Sequence, residues 1–219
     1  MPRLLFEKTG RAVWISHLDL MRLFQRAFKR AGLPLTHTQG YNPRPSVSIA
    51  LPLSVGTQSH CELLDFELDG QMVSCMEIKD KLNLALVEGV RVREVYENGN
   101  KIKFLSYLDC LVSFLYDSPV SDSDAEKIAA LFAQPSLTVE KKGKNGVAEQ
   151  DIIPMIRSMT VSREGQRCII IRARICCQNP TLNPAQLTAA VQRYLPELAP
   201  DGAEYTRMEI YDQEENIFR

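Results

Sequence analysis

Twice along its 219 residues the chain runs strand, helix, strand, strand, helix, strand, with the charged turn Glu97-Asn98-Gly99-Asn100-Lys101 between the two passages. That order constrains the fold more than any other feature. Helices that interrupt a run of strands must return to a sheet to bury their apolar stripes. In the first passage, residues 4–6 and 12–15 read as short strands joined around Thr9-Gly10. Ser16 then caps a helix, with Asp19 three residues on in the place of a capping-box acid. Leu20, Met21, Phe24, Ala27, Phe28 and Ala31 recur at helical spacing as its core face, and Gly32 and Pro34 end it. Strands follow at 35–39, 47–53 and 61–68, then a helix at 72–86 and a closing strand at 90–95. The second passage offers strands at 105–116, 137–141, 152–161, 167–176 and 205–211, and helices at 122–132 and 184–194. No residue-level repeat relates the two passages. The expectation is an α+β protein of two ferredoxin-like (split β-α-β) units packed side by side, with largely antiparallel sheets. The first covers 1–98 and the second 102–219. The acidic stretch 212–215 reads as a frayed tail.

A net charge of −1 argues against a generic polyanion binder, but the charge is unevenly spread. Residues 1–60 hold eight Lys/Arg against Glu7 and Asp19, a balance of +6, which leaves −7 for the remainder. Such polarity suits one face for an acidic partner, and it equally suits a solvated basic helix face. The six cysteines form no Cys-x-x-Cys and no Cys/His cluster, and three histidines leave little for a zinc site, so neither metal nor cofactor is expected. Cys176 and Cys177 at a strand end should point opposite ways. Residues 1–15 lack an apolar signal core, and no apolar run reaches the length of a membrane span. These features point to a cytoplasmic protein with reduced, packed thiols and no membrane partner.

Four constellations bear on chemistry. In Gln39-Gly40-Tyr41-Asn42-Pro43-Arg44-Pro45, glycine and proline fix a short backbone from which Gln39, Tyr41, Asn42 and Arg44 project. A ring, an amide and a guanidinium on a rigid loop suit a planar or anionic ligand, and an ordinary polar turn has the same composition. On the first helix, Arg22, Arg26 and Arg30 stand at i, i+4, i+8, flanked by Gln25 and Lys29. Asp19 is the one acid near enough to offset them. Ser16, His17 and Asp19 open that helix, where free N–H groups and the dipole favour anions. His17 also has the chemistry of a general acid or base, or of a residue bonded locally. Trp14, just before them, reads as core rather than a stacking platform. Last, Lys141, Lys142 and Lys144 crowd a turn made mobile by Gly143 and Gly146, a shape that can wrap a nucleic-acid backbone or serve solubility. His37 and His60 read as packing or surface residues.

Several catalytic signatures are missing: the P-loop, the dinucleotide fingerprint, the nucleophile elbow and the three-cysteine cluster of radical S-adenosylmethionine (SAM) enzymes. The succession Arg3-Leu4-Leu5-Phe6-Glu7-Lys8, Ser16-His17-Leu18-Asp19-Leu20-Met21, residues 39–45, Ile49-Ala50-Leu51-Pro52-Leu53 and Gly56 resembles the radical-SAM-linked family of bacterial domains of unknown function. The likeness continues through Lys141-Lys142-Gly143 and Asp151-Ile152-Ile153-Pro154, with Tyr41 where Phe is frequent. The resemblance implies a context, not an activity. Members are fused to, or encoded beside, cobalamin-binding radical SAM proteins, and their genes often lie near those of a ribonuclease and of large-subunit ribosomal proteins. It implies a radical SAM enzyme as partner and carries over no catalytic residue.

Three functions fit these residues. The first is a non-catalytic module that binds RNA, or a ribosome-related substrate, for a radical SAM partner. Its contacts would be Ser16, His17, Asp19, Arg22, Arg26, Lys29, Arg30, Gln39, Tyr41, Asn42, Arg44, Lys141, Lys142 and Lys144. The second is a metal-independent RNA endonuclease in which His17 activates a ribose hydroxyl and Arg44 or Arg22 stabilises the phosphorane. The third is a protein–protein adaptor using the acidic second half. A cleft between the halves, lined by 16–30 and 39–45, is expected, with the helix start and the proline-braced loop meeting in one pocket.

Overall fold

Leu4 and Phe6 alternate with Leu5 along the first strand, and the two of them face the first helix from a sheet. A computed structural model describes residues 1–70, 73–143 and 146–219. The chain divides into two compact units, one of residues 1–104 with Arg219 and one of residues 105–218, and both mix helices with antiparallel sheet.

Unit 1 contains β1 (Arg3–Lys8), α1 (His17–Arg30), β2 (Val47–Ile49), β3 (Thr57–Phe66), α2 (Cys75–Ala85) and β4 (Val90–Tyr96). The strands lie in the order β4-β1-β3-β2, every neighbour antiparallel. Leu20, Phe24, Ala27 and Phe28 form the buried stripe of α1. Phe6 meets Phe24 edge-on with centroids 4.7 Å apart, and Phe28 meets Phe66 at 5.0 Å. The helix ends in a Schellman turn: Leu33 N–H donates to the Phe28 carbonyl and Gly32 N–H to that of Lys29, while Gly32 takes φ +68°. Leu33, fully buried, locks the exit.

Four expectations for this unit need correction. Residues 12–15 are not a strand, because Gly10–Trp14 is a 3-10 turn. Its N–H groups are satisfied locally, Ala12 N donating to Thr9 O and Ile15 N to Ala12 O. The ammonium of Lys8, itself buried, donates to the Val13 carbonyl at 3.0 Å. Burial lowers the Lys8 pKa, and the Glu62 charge opposes that shift. Residues 35–39 are likewise not a strand. They pair through isolated bridges, Leu35 with Leu68 and His37 with Pro45. The strand at 47–53 stops at Ile49, and Leu51 takes a positive φ of 46°. The second helix begins at Cys75, capped by Ser74, whose Oγ accepts from Glu77 N; Met72, the expected start, lies outside the described residues.

Unit 2 contains β5 (Leu105–Leu115), α3 (Asp122–Phe132), β6 (Thr138–Gly143), β7 (Gly146–Asp151), β8 (Ile156–Arg163), β9 (Cys168–Cys176), α4 (Ala185–Tyr194) and β10 (Gly202–Asp212). Its strands run β10-β5-β9-β8, again all antiparallel, and β6 pairs with β7 as a separate hairpin. Setting that hairpin aside, both units place their strands in the order fourth, first, third, second. The expected strand 152–161 is broken: Pro154, which has no N–H to give a ladder, sits in the 3-10 turn Ile153–Met155 that separates β7 from β8. The tail is not frayed. The Glu215 carboxylate binds Arg157 and Arg174 at 2.7 and 2.8 Å, and Asp212 accepts from the N–H groups of Glu214 and Asn216.

Asp124 and Ser121 form a reciprocal capping box at α3, and those bonds, with Lys127, hold the Asp124 carboxyl at about 2 against an ordinary 3.8. A depressed folded-state pKa stabilises above the ordinary value and stops doing so as pH falls through the folded one. Acid unfolding followed by circular dichroism should therefore show wild-type stability falling between about pH 4 and pH 2. In Asp124→Asn that part of the slope should be absent.

Candidate functional site

Ser16 makes two bonds at the start of α1: its Oγ accepts from Asp19 N at 3.2 Å and donates to Asp19 Oδ2 at 2.8 Å. The other Asp19 oxygen pairs with Arg22 at 3.2 Å, in the open. The Ser16 hydroxyl first, and the Arg22 and Arg26 charges with it, hold the Asp19 carboxyl below the usual carboxylate range. His17 is the first helical residue, and its Nδ1 is buried with no hydrogen-bond partner.

The arginine row follows along the helix. Arg22, Arg26 and Arg30 line one groove of about 350 Å³ with Ile15, Asp19, Leu23 and Val87. Arg30 is committed, donating at 2.6 Å to the Ala85 carbonyl at the end of α2, where a cation suits the helix dipole. Arg26 makes no ion pair among the described residues. Three guanidinium groups thus face one carboxylate. Self-repulsion along such a row is relieved when anions enter the groove.

The 39–45 loop is tied at its base and open at its tip. Ser46 N donates to Thr36 O, Thr38 N to Arg44 O, and Arg44 N to Thr38 Oγ1, all within 3.1 Å. These bonds close a short hairpin-like loop beyond Thr38. Gln39, Tyr41, Asn42 and Arg44 are exposed, Tyr41 completely. The base residues His37 and Pro45 line a second depression of about 430 Å³ with Gln25, Lys29 and an apolar floor of Phe28, Leu33 and Leu35. The expected single pocket is therefore divided. Gln25 and Lys29 meet the loop base, whereas the three arginines line their own groove and the loop-tip side chains line neither. The reason is helical: 25 and 29 lie one residue off the 22, 26, 30 row, about 100° around the axis.

In unit 2, Lys141 donates to the Thr181 carbonyl at 3.3 Å, which draws it from the role of free cation. Lys142 sits in β6 opposite Val147, and Lys144 lies outside the described residues. All six thiols are free. Burial pushes Cys110 and Cys177 up to about 12, so both stay protonated and unreactive. No group of His, Cys, Asp and Glu among the described residues is arranged to hold a metal ion, and no described helix is long and apolar enough to cross a membrane. Sequence reasoning missed Trp14, which is exposed rather than core. Its place two residues before the Ser16 cap, outside any periodic stretch, was the available signal.

A family model described as an uncharacterized protein conserved in bacteria (DUF2344) matches residues 2–184. The chain belongs to the DUF2344 family. The match covers residues 2–104 of unit 1 and ends at residue 184, just before α4 in unit 2. Among solved structures, a chain from a crystal structure of a Cbf5-Nop10-Gar1 complex aligns with 95% of this chain and 48% of its own, at 8% identity and a TM-score of 0.50. This chain thus spans about half the length of that one, and the likeness bears on the fold alone. A crystal structure of an unknown protein from Galdieria sulphuraria aligns over 94% of this chain and 95% of its own at 12% identity, with a TM-score of 0.27 that carries no argument. None of the curated proteins matches the chain.

Proposed function

We propose that this DUF2344 protein is a non-catalytic RNA-binding module, acting in the cytoplasm with a radical SAM enzyme. The observation that carries the reading is the groove on α1, where Asp19 is the one carboxylate among the lining residues beside Arg22 and Arg26, and Arg30, bonded to the Ala85 carbonyl, extends the cationic row. A row from Arg22 to Arg30 spans about 12 Å of helix, room for about three phosphates at nucleic-acid spacing. Lys29 and the 39–45 loop add a second basic, ring-bearing surface across the helix. The strand order of each unit supports reading both as ferredoxin-like, an architecture that RNA-binding proteins often use, which is analogy of fold. The partner rests on the family resemblance of the sequence motifs. The nuclease reading has less support, because His17 has no carboxylate partner among the described residues to orient it.

Fluorescence anisotropy against total tRNA and ribosomal RNA fragments across a salt series tests the reading. Binding that weakens steeply with salt is expected; no binding at low salt rejects it. Asp19 supplies a check of unusual sign. Asp19→Asn removes the negative charge from the groove and releases Arg22, so affinity should rise about threefold at low salt, with the gain fading as salt screens it. Co-purification with the radical SAM enzyme, with and without ribonuclease, separates an RNA-bridged complex from a direct adaptor.

A further inference from the structure

Trp14 is the single tryptophan of the chain, and 72% of it is exposed. Its backbone is nonetheless held from several sides. Ala12 and Val13 beside it are buried. The Val13 carbonyl accepts both from the Lys8 ammonium at 3.0 Å and from Gly56 N at 2.9 Å, and Thr9 N donates to Gly89 O at 2.8 Å. The indole itself rests against Gly56. A Cβ built there would lie 3.4 Å from Cζ3 and 3.8 Å from Cη2 of the ring, so the glycine gives the six-membered ring a flat backbone to lie on. An aromatic fixed in place yet left largely in water is uncommon for a packing residue, and it is the form of a contact surface.

We infer that Trp14 is a stacking platform for one unpaired base of the RNA strand that the arginine groove holds. The inference rests on the RNA reading above and deepens it: the substrate class is single-stranded RNA. Two features favour a nucleic acid over an apolar protein partner. Ile15, the next residue, lines the arginine groove, so the platform directly precedes the cationic track in the chain. The surrounding charge is also positive: Arg11 is exposed within the same turn, and Arg22 and Arg26 line that groove with Asp19 as the lone acid. An aromatic face at the end of a basic groove is how single strands are held without sequence readout, the phosphates by charge and the bases by stacking. Leu18, four residues on, and Val55, the neighbour of Gly56, are exposed apolar residues as well.

Because Trp14 is the single tryptophan, emission excited at the red edge, beyond tyrosine absorption, reads this residue and no other. The full chain is titrated with a 12-nucleotide oligouridylate, unlabelled for emission and end-labelled for anisotropy. Emission should be quenched in step with the rise in anisotropy. Trp14→Ala should lower affinity about tenfold or more, while Trp14→Phe keeps most of it. A rise in anisotropy with unchanged emission, or Trp14→Ala binding as wild type does, overturns the platform and leaves the RNA reading standing. No rise in anisotropy at low salt overturns the RNA reading itself. Trp14→Ala that weakens co-purification with the radical SAM enzyme but leaves RNA binding unchanged gives the surface to a protein and overturns the inference as well.

Discussion

Replacing Arg22 and Arg26 together by alanine is expected to weaken binding of an unstructured RNA about 60-fold at 50 mM salt and about 15-fold at 0.15 M. The figures follow from counterion release. Each phosphate contact on a single strand adds about 0.7 to the slope of log affinity against log salt, so two lost contacts remove about 1.4. The difference grows as salt falls and vanishes near 1 M. Arg30 is left in place because its bond to the Ala85 carbonyl ties α1 to α2, and removing it would mix binding with stability. Both substituted residues are exposed, so thermal unfolding should barely move. Anisotropy at four salt concentrations reads the slope. Parallel lines for wild type and variant would mean that these arginines do not meet phosphate.

Gly89→Ala should cost about 3 kcal/mol or more of stability, from the left-handed backbone penalty and overpacking together. Gly89 holds φ +85°, and a Cβ there would stand 2.4 Å from the Thr9 carbonyl oxygen, 2.9 Å from Ala12 Cβ and 3.3 Å from Ala12 N. The Thr9 and Ala12 backbone atoms cannot turn aside as the end of a long side chain can. The same glycine accepts the Thr9 N–H, so the clash falls on the connection that delivers Trp14 and the start of α1. Denaturant unfolding followed by circular dichroism measures the loss. A change below about 1 kcal/mol would show that the connection yields, and that Trp14 is less firmly held than its hydrogen bonds imply.

Much of this was readable from the residues, for reasons that can be named. The α1 helix announces itself through Ser16 as cap, a core stripe at helical spacing and Gly32 at its end, because all three are local signals acting within one or two turns. The separation between Gln25 and Lys29 on one side and the arginine row on the other was also present in the spacing. It was lost by treating the basic residues as one face. Trp14 carried one local hint, its place outside any periodic stretch, but the turn that holds it was beyond local reading. The run Ala12-Val13-Trp14-Ile15 looks extended, and it becomes a 3-10 turn through partners far along the chain: Gly89 accepts from Thr9, and Gly56 donates to Val13. The tail failed in the same way. Four acidic or amide residues at 212–215 suggest fraying, until Arg157 and Arg174, about forty to sixty positions earlier, take the Glu215 carboxylate. The β7 strand was hidden because its exposed residues carry no alternating apolar pattern.

The location of bound RNA tests the account most directly. An oligouridylate carrying 4-thiouridine is photocross-linked to the protein, and the modified peptides are identified by mass spectrometry. The account predicts cross-links on the residues from Gly10 through Arg30, at Trp14 and along the arginine row, and their loss on adding 1 M salt. Cross-links confined to the β6–β7 hairpin, or spread over unit 2 with none on α1, would contradict it.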